Sequence, residues 1–343
     1  MNIINKLLEK KFVIALFKKE VLPQYGEFSD IKNIAITLIK DHIWTTTYHV
    51  VIEFKTTFID KKNQSKTLSL YCSAHSDEPR LNSYEASSYL WQNGFNQDNL
   101  TMPRPLFYSA DFNGFFYQGV SGHNLYQYIH QKNLPVVEAI TQKAAAWFAK
   151  LHLLPTRGVK NFNLINSRVE TIIPGMNNTL DKIQYLYPRY HEACQQIYQI
   201  INGQEKQFLN ATTKRWLIHG DAHPENIINI GNNKIGVIDF TDVCLADHAR
   251  DLGTFLQQLE FMTQRKIGDP AYTEKIKVIF LENYLKFTKI KLDSGLRQRI
   301  DNYYNWTALR TAIFFLLKDK AEPERAHGLL VKICQDLKLN IHI

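Results

Sequence analysis

One short segment, His219–Asp251, gathers His219, Asp221, His223, Asn226, Asp239, Asp242, Asp247 and Asp251. Residues 219–260 hold seven acids and two bases, a local balance of −5 in a chain whose net charge is +8. Carboxylate and amide oxygens gathered on a loop and a turn suit a hard divalent cation, Mg²⁺ above all, which keeps waters and completes its shell with substrate phosphates. The chemistry they would serve is phosphoryl transfer, which asks for positioning and charge stabilisation more than for covalent steps. One carboxylate takes or orients the proton of an attacking hydroxyl. An amide oxygen and a second carboxylate hold the metal against the β- and γ-phosphates.

These groups need elements to place them. The runs Ile227–Ile230 and Lys234–Phe240 flank Gly231-Asn232-Asn233, residues that accept positive φ, so the pattern predicts a hairpin with a loop before it. A loop that runs into a hairpin brings the chain back to where it left, and so can set several side chains around one point. Upstream, residues 2–20 suit an amphipathic helix. The β-branched and aromatic stretches 33–44, 48–58 and 67–73 read as strands, with Thr45, Thr46 and Thr47 at the first turn. A helix over 81–93 and strands over 105–109 and 114–120 complete a β-β-β-α-β-β order. After Gly119 the pattern turns helical: 134–153, then 178–209 with a break at Pro188, then nearly everything from Ala249 to a last helix at 329–339.

Composition narrows the function classes. A chain of 343 residues allows one large domain or two medium ones. With 45% hydrophobic and 22% charged residues it is a globular chain, not a disordered one. No apolar run reaches the ~18 residues of a membrane span, and the lysine-interrupted start reads as a helix face rather than a secretory leader. Four cysteines without a CxxC pair exclude a zinc ribbon and predict reduced, buried thiols in a cytoplasmic protein. A basic pI alone, with no arginine stripe or aromatic-basic module, does not make a nucleic-acid binder.

The spacing His219-x-Asp221-x-x-x-x-Asn226, then Asp239-Phe240, repeats the kinase pattern H-x-D-x-x-x-x-N followed by D-F. With its surroundings, HGDAHPENIIN…GVIDFTDVCLADHARDL, it resembles the aminoglycoside phosphotransferase and choline kinase superfamily. The resemblance implies Asp221 as catalytic base and Asn226 and Asp239 as Mg²⁺ ligands. It places Asp247 and Asp251 where relatives brace the catalytic loop or border the acceptor pocket; His219, His223 and Asp242 belong to the same loop-bracing or acceptor side. It implies an α+β, bilobal protein-kinase-like fold, with a small antiparallel-sheet lobe over 1–118 and a helical lobe over 119–343. ATP would bind through the Thr45–Thr47 turn, Glu85 on the small lobe's helix, the hinge at Gln118 and Val120, and the aliphatic Ile228 and Ile238. The acceptor would be a small hydroxyl-bearing molecule, cationic or polyhydroxylated to match the acidic segment, walled by Phe255, Phe261, Tyr304 and Trp306.

One departure divides the readings. Relatives carry a phosphate-gripping lysine on the third strand, and 68–76 (LSLYCSAHS) holds none. An ATP-dependent small-molecule kinase is the first reading. A non-catalytic nucleotide- or small-molecule-binding protein on the same scaffold is the alternative. A metal-dependent phosphoesterase, suggested by the string GDAH, lacks the further ligand motifs that such enzymes need.

Overall fold

The computed structural model describes residues 2–97, 99–172 and 174–341. The chain opens with a 3-10 turn, Ile3–Leu8, and helix α1, Lys10–Glu20. Three long strands follow: β1 (Phe28–Ile43), β2 (Tyr48–Asp60) and β3 (Ser65–His75). Helix α2 covers Leu81–Leu90. Strands β4 (Leu100–Thr101), β5 (Arg104–Ser109), β6 (Gly114–Gln118) and β7 (His123–Asn124) come next. Helices α3 (Leu125–His130), α4 (Leu134–His152), α5 (Met176–Leu186) and α6 (Pro188–Ala211) precede four short strands. These are β8 (Trp216–Ile218), β9 (Ile227–Gly231), β10 (Lys234–Val237) and β11 (Cys244–Ala246). Helices α7 (Ala249–Lys266), α8 (Pro270–Thr288), α9 (Ser294–Leu317) and α10 (Pro323–Asp336) close the chain.

Two compact units emerge. The first is Met1–Gly122 with Ile230–Thr241, the second His123–Asn229 with Asp242–Ile343. Sequence places a boundary after residue 118; the first unit runs to Gly122 and takes back the β10 segment.

The first unit is built on an antiparallel sheet in the order β1-β2-β3-β6-β5. Register pairs Ile52 with Cys72 and Cys72 with Phe116, so the apolar positions of three strands share one face. Alternation does this: Val50, Ile52, Phe54 and Phe58 on β2, and Leu70, Cys72 and Ala74 on β3, are all buried. Helix α1 covers that face with Val13 and Phe17, and the Phe17 ring lies edge-on to Phe54 at 5.1 Å. Burying each such aromatic is worth about 1.5–3 kcal/mol. The opposite face of the sheet carries Glu53, Tyr71, Ser73 and Tyr117, half-buried.

The second unit is helical, and its start signals are read from the sequence. Asp269 and Asp293 cap α8 and α9 by accepting from Tyr272 N and Leu296 N. Pro188 sits at the first position of α6, which explains the expected break: proline starts a helix well and continues one badly. Helices α7 and α9 cross at Gly253, where a Cβ would stand 2.6 Å from the Ile300 carbonyl oxygen and the Tyr304 nitrogen. Only glycine permits that approach, and it sets the spacing of two helices that line the cavity described below.

Some expectations move. The last helix starts at Pro323 and ends at Asp336, not over 329–339, because Pro323 is itself an N-terminal signal. The run Lys234–Phe240 stays extended only to Val237, and Asp239 beyond it has φ 66°. Helix α3 and the pairing of β8 with β11 are additions.

Among the described residues no helix is long and apolar enough to cross a membrane. All four cysteines are free and buried.

A buried histidine in the second unit gives this fold a pH signature. His248 is 2% exposed, its ring centroid 4.2 Å from that of Trp216 and 6.3 Å from that of Tyr284. Burial first, then the nearby charges of His152, Arg299 and Lys214, push its imidazole down to about 2. The carboxylate of Asp247, 3.5 Å from its Nδ1, does not reverse this. The folded ring therefore stays neutral in mild acid, while the same ring in the unfolded chain takes a proton below about 6.5. The unfolded state then binds more protons, so stability is complete above that pH and is lost as pH falls, by up to about 1.4 kcal/mol per unit. Denaturant midpoints at pH 7 and pH 5 measure the loss, and His248→Phe should shrink it.

Candidate functional site

The loop after β8 is held by a single buried carboxylate. Strand β8 pairs with β11 in the register Ile218–Cys244, which brings the start of α7 beside the residues that follow β8. Asp251, in the first turn of α7, then accepts from both backbone nitrogens of the loop's entry, His219 N at 2.7 Å and Gly220 N at 2.9 Å. His152, last residue of α4, sets its Nε2 3.0 Å from the same carboxylate, and its Nδ1 lies 2.9 Å from the Tyr284 hydroxyl. Burial alone would raise the carboxyl of Asp251, but the hydrogen bond and charge of His152, helped by His219, hold it below the ordinary range. Gly220 has φ 84°, and a Cβ there would fall 2.3 Å from the Asp242 carbonyl oxygen. That carbonyl is fixed by Asn166 Nδ2 at 2.8 Å.

The braced loop presents Asp221. Its backbone nitrogen donates to His219 Nδ1 at 3.3 Å. Its Oδ2 stands 3.3 Å from His223 Nε2. Asn226 Nδ2 donates to its carbonyl oxygen at 3.0 Å and reaches its Oδ2 at 3.4 Å. With the amide nitrogen turned to Asp221, the amide oxygen of Asn226 is the end of that side chain that could accept a cation. Burial would raise the Asp221 carboxyl; the hydrogen bond and charge of His223, with His219 and Arg310 behind it, outweigh this and bring it to about 2. Asp221 is thus ionised throughout the working pH range.

Asp239 belongs to the first unit. It is exposed at φ 66°, and its Oδ1 accepts from the Thr241 hydroxyl at 2.8 Å. Burial first, then the nearby Asp239 charge, raise the Tyr117 phenol. In that same unit the half-buried face of β3 carries no lysine but Ser73 and, two residues before it, Tyr71. Its ring stacks on Tyr117 at 5.5 Å, and its hydroxyl donates to Glu53 at 3.1 Å. Thr45 and Thr46 lie exposed in a turn closed by Trp44 N to Thr47 O at 2.9 Å and pinned by Asn2, which donates to the Trp44 and Thr47 carbonyls. Glu85 is half-buried on α2. Gln118 accepts from the Tyr25 hydroxyl at 2.8 Å through its Oε1. Val120 packs over Gly236, and Ile238 is half-buried. Ile228, in the second unit, is buried on β9. Among the described residues no three His, Cys, Asp or Glu side chains gather as a metal cage.

The remaining acids of the segment divide. Asp247 pairs with Arg299 at 2.9 Å and accepts from Ala249 N at 3.1 Å, tying α9 to the start of α7 rather than bracing the loop. Burial pushes its carboxyl up, against the pull of Arg299. Glu260 is buried between Lys277 and Lys332. Of the seven acids in 219–260, only Asp221 and Glu225 line the cavity that opens over the loop.

That cavity, about 410 Å³, lies wholly within the second unit. Its floor is Gly220, Asp221, His223 and Glu225, and its walls are one face each of α7 and α9 with Arg325 of α10. Phe261 and Trp306 line it as expected. Phe255 does not: it stacks on Phe280 at 4.3 Å in the core, on the side of α7 turned to α8. Tyr304 lines a second cavity of about 980 Å³ instead. Four arginines that the sequence reading did not single out, Arg250, Arg265, Arg310 and Arg325, also line the first cavity. The available signal was the spacing Trp306, Arg310, Phe314, which sets Arg310, the one charge in 302–317, between two aromatics a turn away on either side.

A family model described as the phosphotransferase enzyme family matches residues 50–277, well over half of the 343-residue chain. No curated protein sequence matches the chain. Among solved structures, an ethanolamine kinase of Plasmodium vivax superposes with TM-score 0.54 at 16% identity, covering 88% of this chain and 81% of that one. A spectinomycin phosphotransferase solved with ADP and spectinomycin gives 0.54 at 13% identity, over 96% and 98%. An amicoumacin kinase solved with AMP-PNP and Ca²⁺ gives 0.52 at 15%, over 88% and 87%. Identities this low show the fold alone, and that fold is the α+β kinase-like one. The match over 50–277, which spans both the Asp221 loop and Asp239, shows more: the chain belongs to the phosphotransferase enzyme family, the small-molecule kinases that act on hydroxyl acceptors.

Proposed function

We propose that this chain transfers the γ-phosphoryl group of ATP to a hydroxyl of a small molecule held in the cavity above Asp221. The observation that carries the reading is the Asp221 carboxylate: ionised, braced through Asp251, and exposed at the floor of a cavity of ligand size. The first unit, residues 1–118 in the main, takes the nucleotide, with Thr45–Thr47, Glu85, the backbone at Gln118 and Val120, and Ile238 as its binding residues; Ile228 is a further nucleotide-binding residue. Asn226 and Asp239 are the residues that would hold Mg²⁺. The chemistry such an ion supplies is neutralisation of phosphate charge. Asp221 accepts a hydrogen bond from the acceptor hydroxyl and aims its oxygen at the γ-phosphorus. The new P–O bond forms as the bond to the bridging oxygen of ADP breaks, and the hydroxyl proton passes to Asp221. A carboxylate at about 2 is a weak base. It orients the hydroxyl first and takes the proton late, which a loose transition state allows. Buried reduced thiols suit a cytoplasmic setting.

A second reading has one observation in its favour: Tyr71 and Ser73, not a lysine, face outward from the middle of β3. On it the chain binds nucleotide or a small molecule without turnover. Thermal unfolding with ATP and Mg²⁺, followed by ADP release across a panel of small alcohols, separates the two. Ligand at 100 times its Kd adds about 2.7 kcal/mol of stability. The kinase reading expects that shift and ADP release with at least one acceptor. Stabilisation without release favours the second reading, and no shift at millimolar ATP removes ATP as donor.

A further inference from the structure

We infer that the acceptor is an organic anion, a hydroxyl-bearing molecule whose carboxylate or phosphate sits among Arg265, Arg310 and Arg325 and whose body lies against Trp306 and Phe315. This rests on the cavity over Asp221 being the acceptor site. Among the described residues its lining carries four arginines against two carboxylates. Arg250 is buried and occupied, donating to the Asn166 carbonyl and the Cys244 sulfur. The other three are uncommitted to differing degrees. Among the described residues no carboxylate forms a close ion pair with Arg265 or Arg310, although Arg310 feels the charges of Asp221 and Asp242, and both arginines are exposed and line the cavity. Arg325 pairs with Glu322 through one nitrogen, while its other terminal nitrogen is buried without a hydrogen-bond partner.

Shape agrees with charge. The Arg325 guanidinium lies 3.8 Å from the centre of the Phe315 ring, and that of Arg310 lies 6.0 Å from the Trp306 ring. Stacking holds a guanidinium flat and leaves its edge to bond an anion in a fork. A cationic acceptor would meet three arginines with two carboxylates to offset them, one of which must face the reacting hydroxyl. An anion fills the arginine side and leaves Asp221 its hydroxyl.

The test uses the whole chain without nucleotide and three probes of one shape: 3-(hydroxymethyl)benzoate, 3-(hydroxymethyl)phenyl phosphate and 3-(hydroxymethyl)benzylamine. Calorimetry or saturation-transfer NMR reads binding. The acid or the phosphate ester should bind at least about tenfold tighter than the amine, the worth of one charge-assisted contact. Which of the two binds tighter identifies the anionic group. Arg310→Gln and Arg265→Gln, both on exposed side chains, should each cut the preference several-fold. Amine binding as tight as the anions, no binding of either anion at millimolar concentration, or an unchanged preference in both variants overturns the inference. Because no nucleotide is present, failure of ATP turnover would sink the kinase reading and leave the cavity's anion preference standing as ligand binding alone. Turnover of amines with no anion binding would do the reverse.

Discussion

Asp221→Asn should lower the phosphoryl-transfer rate about 10²–10⁴-fold, the usual contribution of a positioned proton acceptor, with little change in fold or in nucleotide affinity. The substitution keeps the side chain's shape. The hydrogen bond from Asn226 Nδ2 to the backbone carbonyl of residue 221, at 3.0 Å, does not involve the carboxylate and survives. So do the two bonds from the loop's entry to Asp251. What is lost is the negative charge that orients the hydroxyl and receives its proton. The loss should fall on kcat, since the group acts in the transition state, while KM for ATP holds. Steady-state kinetics on a turned-over alcohol, with unfolding midpoints as the control for folding, check this. Turnover within about threefold of wild type would remove Asp221 from the chemistry, since even weak general-base help exceeds that.

Sequence made the Asp221 segment legible because its parts are local. Asp221, Asn226 and His219 lie on one loop, and the turn residues Asn232 and Asn233 do adopt positive φ, as the hairpin pattern requires. Long strands were legible too: alternation over thirteen residues of β2 leaves little choice of face. Three-residue strands are different. Trp216–Ile218 and Cys244–Ala246 are too short to show a period, yet their pairing is what delivers Asp251 to the loop. The lining of the cavity was less legible for another reason. Counting acids along 219–260 measures charge but not partners. Asp247, Asp251 and Glu260 spend theirs on Arg299, on the backbone and His152, and on two lysines. The arginines that reach the cavity come from α7, α9 and α10, and only helix packing brings them together.

Asp251→Ala should cost more stability than any other change in the segment, and most of the activity with it. Asp251 is 1% exposed and serves three groups at once: two backbone N–H donors and His152. Removing it leaves those donors buried and unpaired, and breaking a buried charged network from one side costs about 3–5 kcal/mol. For a unit of this size that is a fall of roughly 6–20 °C in Tm. Asp251→Asn is the sharper probe. It keeps one acceptor oxygen but turns an NH₂ toward a second donor, so it should recover part of the stability and little of the rate, because the loop entry at Gly220 stays misplaced and carries Asp221 with it. Asp247→Asn is the contrast. Its carboxylate meets Arg299 and Ala249 N, not the loop, so it should lower Tm while leaving kcat near wild type. If the Asp251 and Asp247 variants lost rate in proportion to stability alike, the bracing role assigned to Asp251 would be no more than general structural support. A rate loss at Asp251 well beyond its stability loss marks the carboxylate as the link between helix α7 and the geometry of the reacting oxygen.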